Sequence, residues 1–554
     1  MNTDYDVIVI GSGAGGLTAA VALAQAGKKV LALEQHDRPG GWTHSFTLSG
    51  YRFSPGVHYI GDLRQEGVGL RRIYDGLGVS QDLTFVELNP DGYDHILIGE
   101  KKFDFPKGEH NLIERLKSHF PQEAKGIDAY FADLSSMMES LRNIANLRVP
   151  LRSAMSAPTI LKWMRASGAD LINAHVSDPV LRGVLAGQSG DHGLPPSQVS
   201  AFMHAGITHH YLDGGYYPLG GAFALPRAFV RALKRAGGAI RLGSRVKRIL
   251  VERKKVLGVE LDSGEEIRAG IIISNADPEV TFGQLVGRER LSPRLKRKVA
   301  SVKYSTSCLS LFFATNMDLR AEGLDSGNMW YYDHADVDKI YSDGLTDAVL
   351  SDETPSGMFL TVTTLKDPSK MHASRGHHTC ESFAFVGYEA FEKWARTKRF
   401  AGARTTDYDG MKEDLAWRMV RGLEKRIPGL SKHIAYYSLG TPLTNAHYLN
   451  ATRGNLYGID KRPSQVGPWA FSPRTEFDGL YLCGASTLSH GVAGVTASGL
   501  DAAKAVLNCR TRDILTQTGP GLQFLQAEDT SAWPEHLQRK MERGEVAREE
   551  EKEI

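Results

Sequence analysis

The sequence predicts an α/β fold in which one domain is assembled from three separated segments and a second, mixed α/β domain is inserted between them. Three patterns indicate this. A strand–turn–helix–strand pattern occupies residues 6–41, short strand patterns follow one another through residues 239–273, and another strand enters a glycine-rich turn within residues 478–499. We expect the first domain to comprise residues 1–65, 200–290 and 470–510, the inserted domain residues 66–199 and 291–469, and a polar C-terminal tail residues 511–554.

The first strand, residues 7–10, ends in the pattern G-x-G-x-x-G formed by Gly11, Gly13 and Gly16. Residues 14–26 are small and apolar and favour a helix. In such a unit Gly11 lets the chain turn, Gly13 lets a pyrophosphate approach the backbone, and Gly16 lets the helix pack close to the strand. The phosphates lie at the helix N-terminus, where free N–H groups favour anions. The pattern therefore predicts a Rossmann-type dinucleotide site.

The second strand, residues 30–33, ends at Glu34, about 20 residues beyond the glycines, where a carboxylate can accept both hydroxyls of an adenosine ribose. The alternative is a glycine-rich turn in an ordinary α/β domain, since the chain has 58 glycines. The flanking strand, helix and acid favour the dinucleotide.

Two further features favour FAD over a nicotinamide. Gly40 and Gly41 follow the second strand, and adjacent glycines let the backbone run close to an extended cofactor. The segment 478–499 supplies a second strand and glycine turn, whose backbone amides suit the far end of a long cofactor. No second G-x-G-x-x-G follows a strand, so the sequence predicts no separate nicotinamide domain.

These motifs resemble those of the FAD-dependent phytoene desaturase superfamily, which also contains carotenoid isomerases and retinol saturases. The segments that carry the resemblance are 11–41 and 480–499, and it extends over about residues 4–508. The retinol saturase branch is the most similar, through residues 56–61, 204–221, 440–445 and 457–460. The chain departs from the superfamily at Trp42, where arginine is common, and the branch likeness weakens around Ser489 and His490.

The motifs and the resemblance together give a set of residues that we expect to contact FAD. They are Gly11, Ser12, Gly13, Ala14, Gly15, Gly16, Glu34, Gln35, Arg38, Gly40, Gly41, Trp42, Val246, Gly484, Ala485, Gly494 and Val495. The resemblance alone implies that Val246 lends its backbone to the adenine ring. Asn275 and Asp277 follow a buried strand, and both a capping role and a cofactor contact are open for them.

The resemblance also implies that His58 and Tyr59 run beside the flavin ring. His58 is then a candidate proton donor, and Tyr59 a candidate to stack on the ring or to donate a proton. The alternative is a purely structural His–Tyr pair under the ring. Tyr216 and His490 are two further catalytic candidates.

The implied reaction is flavin-mediated redox on the CH–CH groups of a conjugated, lipophilic isoprenoid polyene. A retinol saturase would add a hydride to one carbon and a proton to its neighbour. A desaturase would run the same geometry in reverse, and a carotenoid isomerase would use reduced flavin without net redox. Each redox direction requires an external electron donor or acceptor that the sequence does not identify. A different class of protein with this fold is the non-catalytic escort that binds prenyl lipids. Such a protein would have a broken FAD site, whereas the glycines and Glu34 are intact in this chain.

The composition limits the partners. The chain has 554 residues and a net charge of +2, so it has no strong positive electrostatic potential that would favour binding to nucleic acid. The four cysteines are scattered, and with no signal peptide and no apolar run of about 18 residues the expected location is cytoplasmic without a membrane span. His204, His209 and His210 lack the H-E-x-x-H spacing, and no metal site is predicted.

A stretch near residues 140–169 is predicted to form helices that touch an anionic membrane. No acidic residue lies between Glu139 and Asp170, and large apolar residues alternate with basic ones. Such a mixture suits the headgroup boundary of a bilayer. The basic residues are Arg142, Arg148, Arg152, Lys162 and Arg165. The alternative is a pair of ordinary basic-faced helices packed on the core.

Overall fold

The computed structural model describes residues 3–145, 158–351, 353–370, 376–395 and 406–543. Its strands are β1 (Tyr5–Ile10), β2 (Val30–Leu33), β3 (Phe46–Leu48), β4 (Tyr51–Phe53), β5 (Thr84–Glu87), β6 (Asp94–Ile98), β7 (Lys101–Phe105), β8 (Tyr216–Pro218), β9 (Ala239–Arg241), β10 (Val246–Glu252), β11 (Lys255–Leu261), β12 (Glu266–Ser274), β13 (Ser307–Thr315), β14 (Asn328–Tyr332), β15 (Gly357–Val362), β16 (His378–Val386), β17 (Ile434–Gly440), β18 (Leu480–Leu482) and β19 (Gln523–Gln526).

The α-helices comprise Ala14–Gln25, Gly69–Gly76, Glu109–His119, Ala124–Ala145, Pro158–Trp163, Gly168–Asn173, Pro179–Leu185, Ala201–Tyr211, Ala224–Arg235, Pro293–Ser301, Val337–Gly344, Thr363–Lys366, Thr406–Glu424, Pro442–Leu449, Gly491–Leu507, Thr511–Ile514 and Glu535–Arg543, and Glu279–Gly287 is a π-helix. Within the ranges that the structure describes, no helix is long and apolar enough to cross a membrane.

The first sheet forms the centre of the predicted Rossmann-type domain, and its strands come from separated segments of the chain. Five parallel strands lie in the order β18, β12, β1, β2 and β9, and β11 and β10 continue it antiparallel from β12. The apolar residues 7–10 of β1 are buried because both faces of the sheet are covered: Val7 and Val9 pack in one core, and Ile8 and Ile10 pack in another. The chain leaves β1 and β12 in opposite directions along the sheet. Open α/β sheets bind their ligands where the carboxyl ends of two such neighbouring strands meet.

Small residues let the helix Ala14–Gln25 pack closely against its neighbours. A Cβ atom on Gly16 would lie 2.1 Å from the backbone oxygen of Gly11, and one on Gly499 would lie 2.1 Å from that of Gly15. The predicted packing role of Gly16 is therefore confirmed, and Gly499 gives the helix Gly491–Leu507 the same close approach.

The second sheet belongs to the inserted domain and has the order β17, β13, β16, β15, β14, β6 and β7. Its pairs are antiparallel except β14–β6. Aromatic residues of β14, β15 and β16 pack in one core with helices from residues 109–211. The helix Ala201–Tyr211, which the predicted limits assign to the first domain, packs on the helices Ala124–Ala145 and Gly168–Asn173 of the inserted domain.

The third sheet corrects the expectation of a polar tail. β19 pairs parallel with β5, and β8 pairs with the other edge of β5. Trp533 is only 3% exposed and packs with Val86 and Leu537. The chain from 523 to 537 is thus part of the folded body. Residues 544–554, the most charged part of the predicted tail, lie outside the described residues.

Candidate functional site

A cavity of about 1410 Å³ extends from the carboxyl ends of β1 and β12 to the second sheet. One end is lined by the glycine turn after β1 and by Glu34. The other end is lined by aromatic side chains of β14, β15 and β16, namely Trp330, Phe359, Phe383 and Phe385. The cavity combines a glycine-lined groove with an apolar chamber.

The glycines at the groove are required by close backbone packing around Asn275. A Cβ atom on Gly13 would lie 2.8 Å from Asn275 Nδ2, and one on Gly15 would lie 2.8 Å from Asn275 Oδ1 and 2.9 Å from the backbone oxygen of Val495. Gly484 has a φ of +92°, which disfavours other residues. Gly11, Gly13 and Gly15 carry no side chain themselves, so the turn keeps its backbone accessible to a pyrophosphate, and the residues present fit an extended dinucleotide.

Glu34 is buried at the groove and already accepts three hydrogen bonds. Ser12 donates from its backbone N at 2.8 Å and from Oγ at 2.6 Å to Oε2, and the backbone N of His36 donates to Oε1 at 2.9 Å. A carboxylate offers about four lone-pair sites. One site therefore stays open for a ribose hydroxyl, and a second opens if the Ser12 hydroxyl turns away. Contact with both ribose hydroxyls remains a prediction.

The other predicted cofactor residues divide into two groups. Those that line the cavity are Gly11, Gly13, Ala14, Gly15, Gln35, Arg38, Gly40, Gly41, Trp42, Val246, Gly484, Ala485, Gly494 and Val495. Ser12 and Gly16 lie behind the lining: Ser12 orients Glu34 and its Oγ accepts from the backbone N of Gly40 at 3.2 Å. Asp277 accepts from Tyr304, Thr452 and the backbone of Val280, so its contacts join the two domains and cap the π-helix.

His58 lies at the cavity wall next to a buried carboxylate. Its Nδ1 is 2.9 Å from Oε2 of Glu381, although the two groups are not aligned for a hydrogen bond. The other oxygen of Glu381 accepts from the backbone N of Ser54 at 2.5 Å. The His58 ring contacts Phe359 and Phe383, with centroids 5.4 and 4.8 Å away. His58 is therefore positioned at the junction of the groove and the apolar chamber.

Tyr59 joins the buried carboxyl group of Asp94 to the half-buried carboxyl group of Asp191. Its hydroxyl oxygen is 2.9 Å from Oδ2 of Asp94 and 2.7 Å from Oδ2 of Asp191, and its ring stacks on Tyr211 at 4.1 Å. Tyr59 and Asp191 line the cavity. Burial raises the pKa of Asp191 to about 7, and the nearby Asp94 contributes to the rise. Burial also raises the pKa of Tyr59 well above its usual range.

Asp94 and Lys366 complete this buried polar cluster. Gln188 Nε2 and Asn328 Nδ2 donate to Asp94 at 2.7 and 2.9 Å. Lys366 is fully buried and donates to the backbone oxygen of His58 and to Asn328 Oδ1, each at 2.5 Å. Burial lowers the pKa of Lys366 to about 7. The cluster binds the His58–Tyr59 segment to the second sheet.

His490 also lines the cavity, with its ring 4.6 Å from that of Tyr457. Its Nε2 lies 2.6 Å from the backbone oxygen of Asp191. A carbonyl can only accept, so Nε2 carries the proton and Nδ1 is left as an acceptor. Burial lowers the pKa of His490 to about 3, so the ring is neutral at physiological pH.

Tyr216 does not line the cavity. Its hydroxyl donates to the backbone oxygen of Asp213 at 2.8 Å, and its ring packs edge-on against Phe524 of β19. The resemblance implies that the turn at residues 216–221 lies near the flavin or the substrate tunnel, but the pairing of β8 with β5 directs Tyr216 into the core. The catalytic role expected for Tyr216 therefore has no support in the geometry. Among the described residues, no group of three or more His, Cys, Asp and Glu could hold a metal ion.

Four residues of the site have no sequence signature that predicts them: Asp94, Asp191, Lys366 and Glu381. None of them belongs to a recognisable motif, and each gains its significance from burial beside a residue that is distant in sequence. The one available signal was their charge within otherwise apolar strands or turns, and that pattern alone does not distinguish a site from an ordinary buried ion pair.

The chain is similar to known flavin-dependent enzymes along most of its length. Residues 14–394 match the family described as flavin containing amine oxidoreductase. The all-trans-retinol 13,14-reductase of Danio rerio is 31% identical over 528 residues, which are 91% of this chain and 86% of that protein. The chloroplastic prolycopene isomerase of Arabidopsis thaliana is 29% identical over 519 residues, 90% of this chain and 81% of that protein.

Among solved structures, an oxidoreductase from Methanosarcina mazei superposes with a TM-score of 0.58 at 16% identity, covering 91% of this chain and all of that one, which shows a common fold. The fold and the glycine cradle define an FAD-dependent oxidoreductase. The chain belongs to the flavin containing amine oxidoreductase family. The expected resemblance to the retinol saturase branch is confirmed by the similarity to the reductase from Danio rerio.

Proposed function

We propose that this enzyme reduces one double bond of a conjugated isoprenoid polyene, in the manner of a retinol saturase. The observation that carries the proposal is the continuity of one cavity from the dinucleotide groove to a chamber walled by Trp330, Phe359 and Phe383. A polyene chain offers no hydrogen bonds, so its binding depends on apolar burial of about 25 cal/mol per Å². The similarity to a retinol reductase over nearly the whole chain supports the same substrate class.

The residues of the chain have separable roles in this proposal. Bound FAD supplies hydride chemistry. The turns at Gly13, Gly15 and Gly484 leave backbone room for the pyrophosphate, and Glu34 receives the ribose. The aromatic chamber orients the polyene and excludes water, and the cluster around Tyr59 and Asp191 stores protons at the cavity wall. Net reduction requires an external electron donor.

The proposal is tested by anaerobic incubation with chemically reduced flavin and three substrates in parallel: all-trans-retinol, a cis-carotenoid and phytoene. A saturase shortens the conjugated system of retinol, so absorbance moves to shorter wavelength and the product gains two hydrogens in mass. A desaturase acts on phytoene only after an oxidant such as a quinone is added. Activity on phytoene with the quinone, and none on retinol, would contradict the proposal.

An isomerase is the second candidate, because a prolycopene isomerase is 29% identical over 90% of the chain. It would use the same flavin groove and the same apolar chamber without net redox. In the parallel assay it would rearrange the cis-carotenoid at constant mass and leave retinol and phytoene unchanged. The escort alternative requires a colourless protein, so the flavin absorbance of the purified chain tests it directly.

We also propose that the cavity opens towards a membrane surface, from which a lipophilic substrate enters. Leu141 and Leu488 line the cavity and are 39% and 54% exposed, and Leu161 is 59% exposed beside Ile160 of the lining. Exposed leucines at a cavity mouth suit the edge of a bilayer.

The basic residues that were predicted to contact a membrane have different surroundings from one another. Lys162 pairs with Asp133 at 2.8 Å, so it is not an independent membrane contact. Arg142 and Arg165 are exposed, whereas Arg148 and Arg152 lie outside the described residues. The proposed contact therefore rests on the exposed leucines at the mouth rather than on the basic side chains.

A further inference from the structure

The hydroxyl of Tyr59 lies between two carboxyl oxygens, and the distances determine how many protons the three groups share. The distances of 2.9 Å to Asp94 Oδ2 and 2.7 Å to Asp191 Oδ2 are both hydrogen-bond distances. A phenol has one O–H to donate. Two hydrogen bonds to two carboxyl oxygens therefore need a second proton, and that proton must lie on one of the two aspartates.

Asp94 is the aspartate that stays ionised. Besides Tyr59 it accepts from Gln188 on Oδ2 and from Asn328 on Oδ1, and donors of this kind favour the charged form. The Asn328 amide is fixed in this orientation because its oxygen accepts from Lys366. Burial raises the pKa of Asp94, which is completely buried, and these donors oppose that rise, so Asp94 keeps its charge more readily than Asp191 does.

Asp191 has the opposite surroundings. Among the described residues, Tyr59 is the side chain that hydrogen-bonds to its carboxyl group. The groups that face it from neighbouring elements are Tyr211, Tyr332, Tyr341, Tyr457, His490 and Asp94. The phenols are neutral, His490 is neutral, and Asp94 is negative, so each of them permits or favours a protonated Asp191. Burial then holds the pKa of Asp191 near 7.

We propose that Asp191 is the general acid of this enzyme and delivers the proton to the polyene carbon next to the one that receives hydride. The inference rests on the proposed function, whose reduced flavin supplies the hydride and both electrons. In the step the O–H bond of Asp191 breaks, a C–H bond forms on the substrate, and the carboxylate of Asp191 remains. Tyr59 keeps its own proton throughout, and a solvent proton reloads Asp191 through the cavity after product release.

The roles of Tyr59 and His490 follow from this assignment. Tyr59 is a positioning residue, because it links Asp191 to the anchored charge of Asp94. His490 holds the backbone of Asp191 through Nε2 and has no proton on Nδ1 to give. The acid form of Asp191 is lost as the pH rises through about 7, so the proton-dependent rate should fall above that pH.

The test compares the full-length holoenzyme with the variant Asp191→Asn, which keeps the size and a donor for Tyr59 but has no acidic proton. We expect unchanged flavin occupancy and a fall of roughly 10²–10⁴-fold in reduction of all-trans-retinol by pre-reduced enzyme. In infrared difference spectra recorded across the titration, the carbonyl band of a protonated carboxylic acid should be present in wild type and absent in the variant. Asp343→Asn, a surface carboxylate that pairs with Lys339, is the matched control.

Two further variants separate the role of Asp191 from the roles of its neighbours. Asp94→Asn removes the negative charge that raises the pKa of Asp191, so its pH profile should shift to lower pH and its activity should recover on acidification. Tyr59→Phe should retain more activity than Asp191→Asn, because Asp191 keeps its proton. Full activity in Asp191→Asn, or a large loss in His58→Ala beside an active Asp191→Asn, would overturn the assignment. A wild-type enzyme that leaves retinol unreduced would refute the proposed function instead, while the infrared band would still report the protonated Asp191.

Discussion

Replacement of Glu34 by alanine should weaken FAD binding by an amount that the groove geometry sets. The carboxylate of Glu34 has a site left for a ribose hydroxyl after it accepts from Ser12 and His36. A hydrogen bond to a charged group contributes about 1.5–3 kcal/mol. Loss of one such bond corresponds to roughly a 10- to 150-fold rise in the dissociation constant for FAD.

The same substitution should also lower the stability of the protein before FAD binds. The backbone N of Ser12 is fully buried, and leaving it unsatisfied costs about 1–3 kcal/mol. Titration of apoprotein with FAD by flavin fluorescence measures the affinity, and thermal unfolding of apoprotein measures the stability. Asp37→Ala is the control, since Asp37 follows the same strand and its side chain is 81% exposed. A lower unfolding temperature with unchanged FAD affinity would show that Glu34 only supports the turn and would refute the ribose assignment.

Gly15→Val should reduce flavin occupancy and destabilise the fold by about 1–3 kcal/mol, because a Cβ atom at that position lies under 3 Å from Asn275 and from the Val495 backbone. Flavin absorbance per protein measures the occupancy, and Gly410→Ala is the control because its Cβ atom would meet nothing within 4 Å. Serine at Leu161 and Leu488 together should weaken sedimentation with liposomes by about 2 kcal/mol, roughly 30-fold, if these exposed side chains enter the bilayer. Leu345→Ser should leave sedimentation unchanged, and equal binding by the double variant would remove the membrane proposal.

Local residue patterns predicted the parts of the molecule whose geometry is itself local. The turn at Gly11–Gly16, the strand that ends at Glu34 and the segment 480–499 occupy their expected places. Each depends on backbone torsions and close packing that glycine and small residues permit at fixed spacing. The cofactor class followed from them because the cradle is made of backbone.

The polar cluster could not be predicted in the same way. Tyr59 and Asp191 are 132 residues apart, and Lys366 reaches His58 across 308 residues, so their meeting depends on how the second sheet packs on the first domain. Tyr216 was assigned to the site through resemblance, but strand pairing with β5 turned it into the core. The sequence did not predict the strand Gln523–Gln526, because a short edge strand that contains polar residues has little hydrophobic pattern.

The proposed reaction is the net two-electron reduction of a polyene double bond in a cavity shared with the flavin. The most direct test is a single anaerobic turnover in which reduced enzyme is mixed with one equivalent of all-trans-retinol, while flavin and polyene absorbance are followed together. We predict that the absorbance of oxidised flavin returns at the same rate as the polyene band moves to shorter wavelength, with one flavin oxidised for each product formed. A polyene that changes its geometry while the flavin stays reduced would contradict the claim and establish an isomerase.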